Sequence, residues 1–130
     1  MSSKKFESRK AKLENAMDKD LEQRTKQFAL SVIKFVASLP QSRTCDVLTR
    51  QLLRSATSIG ANYREANRAV SRADFANKIG TIQKEAAETQ YWFELLIDSD
   101  IAKTSNAAHL LKESSELLAI FTAIGRKLKE

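Results

Sequence analysis

The chain has 130 residues, the size of one domain, with 22 Lys and Arg against 16 Asp and Glu for a net charge of +6. A hydrophobic content of 42% and a charged content of 29% describe a globular protein, and three glycines and one proline leave little material for hairpins or long loops. The single Cys45 excludes an internal disulfide, no apolar run is long enough to span a bilayer, and Met1-Ser-Ser-Lys-Lys5 has no signal-like apolar segment behind it, so the expected compartment is the cytoplasm.

Residues 1–17 read as a basic extension, frayed or partly helical, because Phe6, Leu13 and Met17 are too sparse to demand a packed face. Its Lys4, Lys5, Arg9, Lys10 and Lys12 either solubilise the chain or touch phosphates. The domain proper is residues 18–130. A first helix is expected near 18–39, beginning at Asp18 or Asp20, where an acidic side chain suits the positive end of the helix dipole. Leu21, Phe28, Val32, Phe35 and Leu39 share its inner face, and Pro40 ends it.

The second helix is expected near 44–70 with Thr44 as its N-cap. At about 100° per residue, Leu48, Leu52, Ala56, Ile59, Tyr63, Ala66 and Val70 fall in one arc roughly 80° wide. Arg50, Arg54, Arg64, Arg68 and Arg72 fall in a second arc almost opposite, which is either a solvated face or a binding surface for a polyanion. Gly60 in the middle costs about 1 kcal/mol against Ala. Close approach of a neighbouring helix or a local bend would each explain it, and the bend is favoured, which would shift the two halves of the arginine line. Asn62 and Glu65 lie beside that line and read as members of a structural charge and hydrogen-bond network.

A third helix is expected near 72–98, capped by Ser71 or Asp74, with Phe75, Ile79, Ile82, Ala86, Phe93 and Ile97 inward. Tyr91-Trp-Phe-Glu-Leu-Leu-Ile97 is apolar nearly all round, so either the first and last helices wrap it completely or a second subunit covers Tyr91, Trp92 and Leu95. The fourth helix is expected near 104–129, capped by Thr104 or Ser105, with Leu110, Leu117, Phe121, Ile124 and Leu128 inward. Arg126-Lys-Leu-Lys129 puts cations where its dipole is negative. Four amphipathic helices with short links predict an all-α, left-handed, antiparallel up-and-down four-helix bundle.

Gln51-x-x-Arg54-Ser55-Ala56-x-Ser58-Ile59-x-x-Asn62-x-x-Glu65, followed by Asp74-Phe75, resembles the core of the four-helix bundle proteins encoded in 23S rRNA intervening sequences. That family is in turn similar to the accessory variability protein of diversity-generating retroelements. The similarity runs from about Leu21 to the C-terminus and departs at Gly60, where many relatives have Pro, and at Ala66, where they have Gly. It implies a bundle assembled as a ring-like homo-oligomer, a pentamer, with Tyr91, Trp92 and Leu95 at the contact. It brings no catalytic residues.

The chemistry agrees with a non-enzyme. Gly60, Gly80 and Gly125 are isolated, so there is no phosphate loop, and His109, the only histidine, has no Cys or carboxylate at ligand spacing. Glu85 and Glu88 lack the Glu-x-x-His companions of a di-metal bundle, so neither metal nor cofactor is expected. Two functions stay open. One is binding of structured RNA through Arg50, Arg54, Arg64, Arg68 and Arg72, since the guanidinium fork suits phosphate. The other is a protein scaffold, for example an accessory subunit of a reverse transcriptase, whose arginines pair with Glu65, Glu85 and Glu88 between subunits.

Overall fold

The structure, a computed structural model, describes the backbone of residues 2–130 and the side chains of residues 19–130. Four helices are present and no strand among the described residues: α1 Ser2–Ala37, α2 Arg43–Ala66, α3 Arg72–Asp98 and α4 Ser105–Leu128. α1 therefore begins well before Asp18, and residues 2–17 are helical in backbone; the lysines and arginine expected to touch phosphates there lie outside the described side chains.

The starts of the last three helices follow from single hydroxyls. Ser42, Ser71 and Thr104 sit in extended backbone and accept from the amides of Cys45, Asp74 and Ala107, satisfying one of the free N–H groups of each first turn. Ser42 replaces the expected Thr44 because its oxygen reaches the Cys45 amide at 3.0 Å. α2 stops at Ala66, four residues earlier than expected. The amides of Arg68 and Ala69 fold back on the carbonyls of Glu65 and Ala66, a tightened last turn, and the chain then extends to present Ser71 as the next cap. Val70 is consequently 94% exposed and no part of the apolar face. The α3–α4 link turns at Asp100, whose φ of 65° an aspartate tolerates, and Ala102 N–H reaches back to the Leu96 carbonyl at 3.0 Å.

α2 packs between α1 and α3, α3 against α4, and α4 closes on α1. Neighbours run antiparallel: Glu65 near the end of α2 meets Lys78 near the start of α3, while Arg54, earlier in α2, meets Glu85 and Glu88. Across the diagonals, Phe35 meets Phe93 at 5.6 Å between ring centres and Tyr63 meets Phe121 edge-on at 5.3 Å. These rings, with Val32, Leu52, Ile59, Ile79, Ile82, Leu96 and Leu117, make the core. Close approach of a neighbouring helix explains Gly60: a Cβ there would lie 3.2 Å from Thr25 Oγ1 of α1, and the helical run through it is unbroken. Cys45 is buried in the core, and loss of solvent, helped by Asp46, pushes its thiol pKa up, which keeps it protonated and unreactive.

Candidate nucleic-acid interface

The end of α2 at Ala66 breaks the arginine line. Arg50, Arg54 and Arg64 remain on α2, Arg68 stands in the following turn, and Arg72 is the first residue of α3. Their environments differ as well. Arg54 is occupied inside the chain, pairing with Glu85 at 3.2 Å and with Glu88, and taking Gln51 Oε1 at 3.2 Å on its Nε. Arg64 Nε lies 3.6 Å from Glu22 of α1. Arg72 Nη2 donates to the Leu128 carbonyl at 3.0 Å. Arg50 and Arg68 are exposed and form no ion pair with the described residues.

The Arg72 bond has a geometric consequence. It sets the start of α3 against the last turn of α4, whose Arg126, Lys127 and Lys129 are all exposed. With Arg68 in the preceding turn, five cations from three segments gather at one end of the bundle. With the described residues only Arg72 among them is engaged, and its partner is a neutral carbonyl rather than a carboxylate. Asp74 and Glu130 are the carboxylates nearest in sequence to this cluster, and neither pairs with it. Arg126, Lys127 and Lys129 read from sequence as partners of the α4 dipole alone. Nothing local signals that they share a surface with Arg68 and Arg72, because only the closing of α3 on α4 makes them neighbours.

The expected network around Asn62 and Glu65 is also different. Asn62 Nδ2 donates at 2.9 Å to the Ser58 carbonyl, one turn back on its own helix. Glu65 turns away from the arginines and takes Lys78 Nζ at 2.8 Å, a hydrogen bond that raises the lysine pKa. A network that sequence did not reveal joins α1 to α4: Arg24 makes a two-pronged pair with Glu113 at 3.0 and 2.8 Å and also reaches Glu116 at 3.2 Å. The hydrogen bond to Arg24 holds the Glu113 carboxyl below its usual pKa despite opposing burial.

The Tyr91–Ile97 run is not fully wrapped. Phe93 and Leu96 point into the core, Trp92 and Leu95 are half-buried, and Tyr91 is exposed with its ring edge-on to Trp92 at 5.3 Å. The Trp92 indole N–H is buried without an acceptor among the described residues. His109 is exposed, and no group of three His, Cys, Asp or Glu that could hold a metal occurs among the described residues. A shallow groove of ≈ 190 Å³ lies between α1 and α2, lined by Glu22, Thr25, Lys26, Thr57, Gly60 and Arg64 among others. One carboxylate neutralises one of its two cations, so it offers no converging set of donors. No described helix is long and apolar enough to cross a membrane.

A sequence model of 23S rRNA-intervening sequence proteins matches residues 17–123. The fold is similar to a crystal structure of a protein of unknown function from the S23 ribosomal protein family of Bacteroides thetaiotaomicron. That similarity has a TM-score of 0.74 and 38% sequence identity, and covers 80% of this chain and 96% of that one. No curated protein matches the chain.

Proposed function

The chain belongs to the 23S rRNA-intervening sequence protein family, and from that premise we propose that it is a non-catalytic, self-associating bundle that binds structured RNA through its cationic end. The observation that carries the reading is the cluster of Arg68, Arg72, Arg126, Lys127 and Lys129, without carboxylate partners among the described residues. Some of that charge offsets the negative C-terminal ends of α2 and α4, but one or two cations near a last turn do that work. Five on one surface are suited to phosphates, where each neutralised group releases counterions.

Recognition of this kind is electrostatic and shape-based, since the chain carries no base-reading motif. Association of copies into a ring, a pentamer by analogy with the family, would place several cationic ends on one assembly and multiply weak contacts. The half-open Tyr91 and Trp92 favour a second reading, a scaffold for a protein partner such as a reverse transcriptase, in which RNA plays no part.

Titration of RNA binding against salt separates the two. Wild type should bind at low salt and lose affinity steeply as salt rises. Arg68→Gln, Arg126→Gln and Lys127→Gln together should leave folding and particle mass unchanged while flattening the salt slope by up to about three units. Unchanged binding by the triple variant overturns the proposed site, and no binding by wild type at low salt leaves the scaffold reading in its place.

A further inference from the structure

The cations at the start of the chain are sorted by position. Residues 2–12 hold Lys4, Lys5, Arg9, Lys10 and Lys12 against one carboxylate, Glu7, whereas residues 13–20 hold Glu14, Asp18 and Asp20 against Lys19 alone. A tail that only keeps a protein in solution does not require such sorting. The helix dipole does not explain it either. Lys4 and Lys5 stand at the positive end of α1, whose first turn has no acidic residue, so the effect that suits Arg126 and Lys127 opposes them.

The backbone places this basic stretch. α1 is helical without a break from Ser2 to Ala37. It runs antiparallel to its two neighbours: Thr25 lies against Gly60 and Glu22 meets Arg64 on α2, while Arg24 meets Glu113 and Glu116 on α4. Leu128, the last residue of α4, comes twelve residues after Glu116 and fifteen after Glu113. Antiparallel helices of equal rise therefore bring it level with a point twelve to fifteen residues before Arg24, between Arg9 and Lys12. Arg72 marks the same level on α3, because its side chain bonds the Leu128 carbonyl. Arg9, Lys10 and Lys12 thus occupy the height at which Arg72, Arg126, Lys127 and Lys129 gather. Residues 2–8 continue past the ends of the other helices by about 10 Å, carrying Lys4 and Lys5 further out on that side.

We propose that residues 2–12 of α1 are a second part of the RNA-binding surface, an arm along which the backbone of an RNA crossing the cationic end continues. This rests on the reading that the cationic end binds RNA, and lengthens that surface by about 16 Å. Each phosphate neutralised along the arm adds its own release of counterions. Neither the arm nor the last cations of α4 fall within the span that the family model matches, so the surface is built from what flanks the shared bundle.

The test is an anisotropy titration of a fluorescently labelled short RNA hairpin by the full chain across a salt series. Arg9→Gln, Lys10→Gln and Lys12→Gln together should keep helix content by far-UV circular dichroism and particle mass by sedimentation. They should flatten the salt slope by roughly two to three units. Lys34→Gln, Lys84→Gln and Lys112→Gln remove the same charge from exposed positions away from this end, none of them in an ion pair with the described residues. That control should keep the wild-type slope. A wild-type slope for the arm variant, or equal flattening by the control, overturns the arm while the cationic end stands on its own triple variant. A lower particle mass for the arm variant makes the arm a contact between copies and overturns its role toward RNA. A wild-type chain that binds no RNA at low salt overturns the cationic end and the arm together.

Discussion

Gly60 and Gly80 offer the same substitution in two surroundings, and the structure assigns them opposite outcomes. Both lie inside long helices, where replacing Gly by Ala gains about 1 kcal/mol of helix propensity. A Cβ at Gly80 meets nothing within 4 Å, so Gly80→Ala should stabilise the fold by nearly that full amount. At Gly60 the added carbon would lie 3.2 Å from Thr25 Oγ1, 3.4 Å from Thr25 Cβ and 3.5 Å from the Thr25 backbone carbon. Thr25 is fully buried and its hydroxyl donates to the Leu21 and Glu22 carbonyls at 2.9 and 3.0 Å, so it has little freedom to yield. Overpacking of this kind costs about 1–3 kcal/mol, which leaves Gly60→Ala destabilising by up to about 2 kcal/mol once the propensity gain is subtracted. Urea unfolding at one fixed protein concentration reads the difference, since self-association would otherwise add to apparent stability. With a slope of about 1–3 kcal/mol per molar urea, the two midpoints should stand roughly 1 M apart. Equal midpoints would refute the claim that α1 bears on α2 at this point. Adding Thr25→Ala to Gly60→Ala should cost less than the two separate losses combined, because Oγ1 is the nearest obstacle.

Glu113 is held below its usual carboxylate pKa by Arg24, so the pair contributes stability that is full above the unfolded value of about 4.5 and is lost as pH falls through the folded value. Glu113→Gln should therefore cost about 0.5–1 kcal/mol at neutral pH, discounted because Arg24 is partly exposed, and the gap to wild type should narrow as the medium is acidified below the unfolded value; a gap that does not narrow would contradict the assignment. Thr89 and Ser55 join hydroxyls at 2.8 Å in a fully buried site between α3 and α2, and Ser55 also reaches the Leu52 carbonyl at 3.2 Å. Thr89→Val should cost about 1 kcal/mol in urea unfolding, and Ser55→Ala combined with it should add little more; strictly additive losses would mean the two hydroxyls act separately.

The helices and their inward faces were legible from the 3.6-residue period, which is clearest in α2 and α4. Phe28, Val32 and Phe35, or Ile79, Ile82 and Phe93, can be placed inward from spacing alone. Ser71 and Thr104 were legible as caps for the same local reason. The arginine arc failed at its far end because arithmetic at 100° per residue assumes an unbroken helix. Nothing in Asn67-Arg68-Ala69-Val70 forbids helix as strongly as Pro40 does, and it is Ser71, needed to cap α3, that takes the chain out of helical geometry. The cationic end was illegible for a different reason, since its members are far apart in sequence and meet only through tertiary closure.

The residues that carry the family resemblance prove to do one structural job together. Arg54 reaches Glu85 and Glu88, Ser55 receives the Thr89 hydroxyl, and Glu65 takes Lys78, so three positions on α2 engage α3 at two levels, Arg54 and Ser55 together and Glu65 further along. Ser58 and Asn62 stay on α2, Ser58 Oγ donating to the Arg54 carbonyl and Asn62 Nδ2 to the Ser58 carbonyl. Asp74 gives its amide to Ser71 and thereby starts α3. The two levels are about three turns apart on both helices, so a slip of α3 along α2 would strand a buried hydroxyl pair and misplace the charges at both, a larger loss than any single exposed ion pair represents. The contacts of Arg54, Ser55 and Glu65 therefore give the motif a structural task, the register of α3 on α2. Of the five arginines on the original line, Arg54 belongs to that register device, Arg64 faces Glu22 and Arg50 stands apart on α2; Arg68 and Arg72, with the α4 terminus beside them, are the ones through which the proposed function would meet a phosphate backbone.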